Sequence, residues 1–215
     1  AGLIYLLAGL LLRVSAGAPL SAFCLTAAPL LFTGGIHFDG FLDTADALGS
    51  WKGKEEKLAI LKDVHAGSAA VLQGGLMLLA DFAAWLSLLE SGNMPERLPQ
   101  LLPIFLMSRA LSALSIYLLP NARGAGTVYD FTAARARRMG RLICGFYLLF
   151  AAAALFGAGT LFTGACILAA VLLAALYSGA RAALSFGGMT GDLAGFLLTN
   201  CETAGLIAAA LAFRI

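Results

Sequence analysis

Charge is what this sequence has least of: of 215 residues only 14 are Lys or Arg and 12 are Asp or Glu, 12% in all, against 60% hydrophobic residues and a mean hydropathy of +0.90. A soluble domain is about a quarter charged, so water is excluded as the main solvent of this chain. Strand alternation is also missing, which excludes a membrane β-barrel. The four cysteines, Cys24, Cys144, Cys166 and Cys201, sit singly in apolar stretches without metal-ligand spacing. That excludes a disulfide framework and a zinc site, and leaves them as small packing residues. No initiator Met and no basic n-region precede the first apolar run, so Ala1 to Leu12 does not read as a signal peptide and an N-terminal segment is expected to be missing. With no repeat, low-complexity tract or soluble segment, residues 1 to 215 read as one domain.

What is present is a series of apolar runs long enough, or nearly so, to cross a hydrocarbon core that takes about 20 helical residues. They lie near Ala1 to Leu12, Gly17 to Ile36, Ala66 to Leu89, Leu98 to Leu119, Leu142 to Ala158, Leu161 to Ala180 and Leu193 to Phe213. The expected fold is all-α, a polytopic integral membrane helical bundle of about seven transmembrane helices.

Basic residues orient it. Lys52, Lys54, Lys57 and Lys62 follow the second span, and Arg123, Arg135, Arg137, Arg138 and Arg141 follow the fourth. Both loops are therefore expected in the cytoplasm, and counting spans places the Arg181 to Asp192 loop there too. Arg13, between the first two spans, is the exception. The Arg135 to Arg141 run is suited to anionic membrane lipids, and with no soluble domain to present a basic face, nucleic acid is not an expected partner.

Chemistry concentrates in Gly34-Gly35-Ile36-His37-Phe38-Asp39-Gly40-Phe41-Leu42-Asp43-Thr44-Ala45-Asp46-Ala47-Leu48-Gly49. On a helix, Asp39, Asp43 and Asp46 follow i, i+4, i+7 spacing and share one face within about a sixth of a turn. Such carboxylates repel one another unless a hard cation is present, and Mg²⁺ held by a few carboxylates keeps positions open for phosphate oxygens. The plain alternative is a solvated acidic loop ending a span. Gly34, Gly35 and Gly40 favour the site by letting backbone and ligand approach closely. His37, on the opposite helical face from Asp39, is either a base or an interfacial residue.

These residues resemble the signature of the cobalamin synthase family, the adenosylcobinamide-GDP ribazoletransferases. Three further segments match in order: Ile60-Leu61-Lys62-Asp63-Val64-His65-Ala66-Gly67, then Ser108-Arg109 with Pro120-Asn121-Ala122-Arg123-Gly124-Ala125-Gly126, then Gly187-Gly188-Met189-Thr190-Gly191-Asp192 followed by Gly195 and Glu202. Val64 and Ala125 depart from the usual pattern, as does the absent N-terminal segment.

The resemblance implies a multi-pass enzyme of the bacterial cytoplasmic (inner) membrane with its active site facing the cytoplasm. It would transfer adenosylcobinamide phosphate from adenosylcobinamide-GDP to a ribose hydroxyl of α-ribazole or its 5′-phosphate, releasing GMP and requiring Mg²⁺. Asp39, Asp43 and Asp46 would hold the metal, with one of them or His37 taking the hydroxyl proton. Lys62 and Arg123 are candidates for the diphosphate. His65 joins the substrate-binding candidates through its motif. A homo-oligomer, or association with other cobalamin assembly enzymes, is left open.

Other positions carry two readings each. Asp63 either serves the site or pairs with Lys62. Asp192, Gly195, Thr199 and Glu202 form a polar stripe at i, i+3, i+7, i+10 that must face protein or a wet cavity. Arg109 and Asp81 lie inside expected spans, where an unpaired charge is costly; similar depth on successive helices suggests that they pair. Arg109 matches a motif and is a substrate-binding candidate, whereas Asp81 reads as structural.

Two rivals remain. A CDP-alcohol phosphotransferase also sets aspartates at a membrane edge, but its Asp-x-x-Asp-Gly-x-x-Ala-Arg order is not followed here. A transporter would use Arg109 and Asp81 along a path, yet no repeated half is visible.

Overall fold

The computed structural model describes residues 2–92, 94–124 and 134–214, with side chains described from residue 17 onward except for 93–96 and 125–136. Ala125 and Gly126, and the side chains of Arg13 and Arg135, lie outside the described residues.

Eight α-helices follow in chain order among them: α1 (Gly2–Thr33), α2 (Ile36–Gly49), α3 (Lys54–Ile60), α4 (Ser68–Glu90), α5 (Met94–Leu118), α6 (Ala134–Gly157), α7 (Leu161–Arg181) and α8 (Gly191–Ala212), with a π-helical turn over Ala182–Phe186. Thr160 and Thr190 cap α7 and α8 by accepting from the amides of Thr163 and Leu193, each at 3.2 Å. These bonds use donors that a helix start otherwise leaves unpaired.

Five helical stretches are long and apolar enough to cross a membrane: Ser68–Glu90, Arg97–Leu118, Arg137–Gly157, Leu161–Phe186 and Gly191–Ala212. A sixth is available if Gly17–Thr33 and Ile36–Gly49, bent by 95° to each other, count together. The expected first and second spans meet at Gly17, whose non-helical φ of 78° and ψ of 168° separate two helical segments. No loop separates them, because Pro19 is compatible with a new helical turn just after the kink. The residues expected to form the first span fall where side chains are not described. The bend between α1 and α2 is made by Gly34 and Gly35, with φ of 62° and 77°, a conformation that a Cβ disfavours.

Helix α8 is the axle of the bundle. It packs against α2, α4, α5 and α7, and 67% of its span is buried, against 17% for α6. The core gathers around it from Leu88, Leu101, Ile104, Ile167, Val171, Leu197 and Leu206. Helix α6 leans on α5, where the Tyr117 ring covers Gly140 and Arg141 donates to the Tyr117 carbonyl at 2.7 and 3.2 Å. Arg141 is thus also a helix-packing residue, whereas Arg137 and Arg138 are exposed as the basic run requires. The outward Leu142, Phe146, Leu149 and Phe150 are exposed and form an apolar stripe suited to lipid.

The connections that carry the sequence motifs meet at one end. Met189 donates to the Pro120 carbonyl at 2.7 Å and accepts from the Ala122 amide at 3.1 Å, a short parallel bridge between the loops entering α6 and α8. All four cysteines are free.

Candidate active site

Helix α2 bears the acidic motif as its spacing predicts, with Asp39 exposed and Asp43 and Asp46 half-buried. It lies almost backbone to backbone on α8. A Cβ on Gly40 would fall 2.7 Å from the Asp192 carbonyl oxygen, and one on Gly195 would fall 2.8 Å from the His37 carbonyl oxygen. Only glycine permits that crossing, which brings a fourth carboxylate, Asp192, beside the first three. Asp39, Asp192, Arg123 and Asp46 all lie within electrostatic reach of Asp43.

Hydrogen bonds tie the other motifs in. Arg123 Nη2 donates to Asp192 Oδ2 at 3.2 Å and to the Leu61 carbonyl at 3.4 Å. Its own loop is turned by Asn121 Oδ1, which accepts from the amides of Arg123 and Gly124 at 2.8 and 3.1 Å. The Gly67 amide donates to Asp46 Oδ2 at 3.2 Å. Lys62, next to Leu61, is exposed at the rim. Asp63 does not pair with Lys62: it accepts from the His65 amide at 3.0 Å and meets His65 Nδ1 at 2.7 Å. The hydrogen bond from the His65 ring holds the Asp63 carboxyl below its usual range. A bend two residues long makes that local partner closer than any lysine.

Below the rim, a cavity of about 490 Å³ is lined by His37, Asp39, Arg109, Ser112, Asp192 and Gly195, with Ile36, Ile116 and Leu198 among its apolar walls. A smaller one of about 50 Å³ lies deeper, bounded by His37, Asp81, Arg109, Thr199 and Glu202. The polar stripe of α8 therefore faces cavities, as its spacing requires. His37 stands in the first turn of α2 and borders both.

Arg109 pairs with Glu202, not with Asp81. The reason is topological: α8 packs on both α4 and α5, so the nearest carboxylate comes from it. Ser108 Oγ donates to the same Glu202 oxygen at 2.9 Å. Asp81 is half-buried beside Glu202 and Thr203, and its buried Oδ1 has no hydrogen-bond partner among the described residues. Sequence reading missed Ser112, whose hydroxyl donates to the Ala194 carbonyl at 2.8 Å, and Lys54, whose ammonium covers Gly187. The first had a signal: Ser108, Ser112 and Ser115 recur at i, i+4, i+7 on an otherwise apolar helix.

The donor set around Asp43 is all carboxylate oxygen, the chemistry a hard cation takes. Among the described residues no three His, Cys, Asp or Glu side chains are close enough to form a ready-made cage.

A membrane-spanning helical bundle whose carboxylates and cations gather around a cleft at one end is the architecture of a membrane-embedded transferase. The cobalamin-5-phosphate synthase family matches residues 1–210. An adenosylcobinamide-GDP ribazoletransferase of Lachnoclostridium phytofermentans is 35% identical over 183 residues, 85% of this chain and 68% of that protein. Enzymes of the same name from Clostridium perfringens and Pseudomonas fluorescens are 33% and 37% identical, covering 83% and 91% of this chain and 69% and 78% of theirs. No solved structure matches the chain. The chain belongs to the cobalamin-5-phosphate synthase family and is a transferase of cobalamin synthesis.

Proposed function

We propose that residues 1–215 form one catalytic domain that transfers adenosylcobinamide phosphate from adenosylcobinamide-GDP to a ribose hydroxyl of α-ribazole or its 5′-phosphate. The hydroxyl oxygen bonds to the phosphorus bearing the cobinamide, and the anhydride bond to the other phosphate breaks. GMP leaves with the bonding electron pair, and the hydroxyl proton passes to His37 or to one of the α2 carboxylates. Asp39 and Asp43, with Asp46 at the edge of the set, hold Mg²⁺; when bound, the ion neutralises charge on the phosphate oxygens. Arg123 and Lys62 grip the diphosphate, Arg through its planar fork and Lys as a compact charge. Phosphoryl transfer rests mainly on such positioning and charge neutralisation. The basic loops support a cleft that opens to the cytoplasm from a bacterial inner membrane.

One observation carries the reading: segments far apart in sequence, each bearing a family motif, meet within hydrogen-bonding distance around Asp46, Arg123 and Asp192. Purified protein in liposomes, given adenosylcobinamide-GDP, α-ribazole 5′-phosphate and Mg²⁺, is expected to release GMP and form the cobalamin product. Chelation of Mg²⁺, or the Asp43→Ala change, is expected to abolish both. Turnover that persists in Asp43→Ala, or without divalent cation, overturns the assignment of the metal site. A folded wild-type protein that forms no product overturns the reaction.

A further inference from the structure

We infer that Arg109, fixed by Glu202, is the subsite for a phosphate monoester on the acceptor, and so selects the phosphorylated acceptor over its free form. The inference rests on the reaction proposed above.

Arg109 lies well inside α5, about 13 Å from the Leu118 end at 1.5 Å per residue. A charge at that depth is expensive unless it is paired and used. One side of the guanidinium is spent. Nη1 meets Glu202 and also reaches the Phe105 carbonyl at 3.2 Å and Ser108 Oγ at 3.5 Å. Glu202 is itself held by Ser108 and is only 13% exposed, so it is an anchor and not a contact surface. Nε and Nη2 have no hydrogen-bond partner among the described residues, and the side chain, 37% exposed, lines the large cavity as well as one of about 330 Å³ between α5 and α6. A guanidinium locked at one nitrogen with an open edge is preorganised to meet two phosphate oxygens in parallel.

The rest of the cavity argues for where the anion sits. Asp39 and Asp192 repel a phosphate from the rim end. At the other end Ile36 and His37 stand on the wall, and Arg109 is the one cation among the described residues lining this cavity. A phosphate monoester carries nearly two negative charges at neutral pH, enough to favour the end that offers this fork. Ile116 and Leu198 leave an apolar wall for a flat base, and about 490 Å³ is the size of a small-ligand pocket. The acceptor would then lie with its phosphate deep and its ribose hydroxyl toward the carboxylates. Arg123 and Lys62, at the rim, are kept for the diphosphate of the donor, so the two phosphorylated substrates do not compete for one cation.

The test compares kcat/KM for α-ribazole 5′-phosphate with that for α-ribazole in liposomes, for wild type, Arg109→Gln, Arg109→Lys and Glu202→Gln. Wild type is expected to prefer the phosphorylated acceptor by about tenfold or more, the scale of a charge-assisted hydrogen-bond pair. Arg109→Gln is expected to remove most of that ratio, whatever loss both acceptors share. Arg109→Lys is expected to keep part of the ratio, and Glu202→Gln to reduce it through a higher KM with kcat less affected. Should the variants not fold, wild type is tested with ribose 5-phosphate, expected to inhibit competitively against the phosphorylated acceptor and not against the donor. Equal use of both acceptors by wild type, an unchanged ratio in Arg109→Gln, or competition against the donor alone overturns the inference while leaving the reaction standing. No turnover with either acceptor overturns the reaction and the inference with it.

Discussion

Helix α8 holds an arginine at each of two levels, and the two pairs are built differently. At the rim, Asp192 meets Arg123 at 3.2 Å, with both side chains nearly a third exposed, and Arg123 divides its bonds with a loop carbonyl. Inside the bundle, Glu202 meets Arg109 with the carboxylate almost covered and a serine bracing the contact. Water and salt screen the first pair, so it exchanges partners at little cost. In the second only the carboxylate is enclosed, and Ser108 and the Phe105 carbonyl brace the contact. A cation meant to take hold of an arriving diphosphate belongs in the first setting; one meant to stand in a fixed place belongs in the second.

Breaking the inner pair should show the largest effect. Glu202→Ala removes the enclosed partner of Arg109 and should cost about 3 kcal/mol of stability, the low end for breaking a buried pair because the Arg109 side chain keeps 37% exposure, read as a lower thermal midpoint in detergent. The double change Glu202→Leu with Arg109→Leu should cost clearly less than the sum of the singles. Next come the glycines that let α2 lie on α8: Gly40→Ala or Gly195→Ala should cost about 1–3 kcal/mol by forcing the backbones apart, with activity falling further than stability because Asp192 moves away from Asp43. Cutting the outer pair by Arg123→Ala should change stability by less than about 1 kcal/mol, yet raise the KM for the GDP-linked donor about tenfold, an effect that added salt shrinks.

The smallest effect belongs to the exposed Asp63 and His65 tie. Because His65 holds the Asp63 carboxyl below its usual range, this tie contributes above the ordinary carboxylate pKa and is lost only as pH falls through the lowered value. Both side chains are largely exposed, 86% and 53%, so His65→Ala should lower the thermal midpoint at neutral pH only slightly, and should remove the loss that wild type shows as pH falls through the lowered Asp63 value.

Much of the site was legible because helical spacing is a strong signal. Asp39, Asp43 and Asp46 share a face whatever the helix packs against, and the stripe from Asp192 to Glu202 had to meet something polar. The partner of Arg109 was not legible. Similar depth on successive helices pointed to Asp81, but which helix stands between two others is decided by packing, and here α8 takes that place. The same limit applies to α1 and α2. The apolar run marked a span, whereas the pair of left-handed glycines that turns the chain by 95° is consistent in sequence with a loop, a ligand contact or a bend. Of the two readings of Asp63, the pairing with Lys62 is not formed, because a backbone amide two residues away competes with any neighbouring side chain.

The bend after α1 bears on the lipid as well as on the enzyme. Helix α2 reaches only part of the way along α4, from Gly49 beside Ala69 to Phe38 beside Gly74, so a helix start with incompletely paired amides faces the body of α4 and not its end. Hydrocarbon does not solvate such groups. The start of α2 therefore requires water or polar protein groups around Ile36 and His37, at the level where the two cavities lined by His37 and Arg109 meet it.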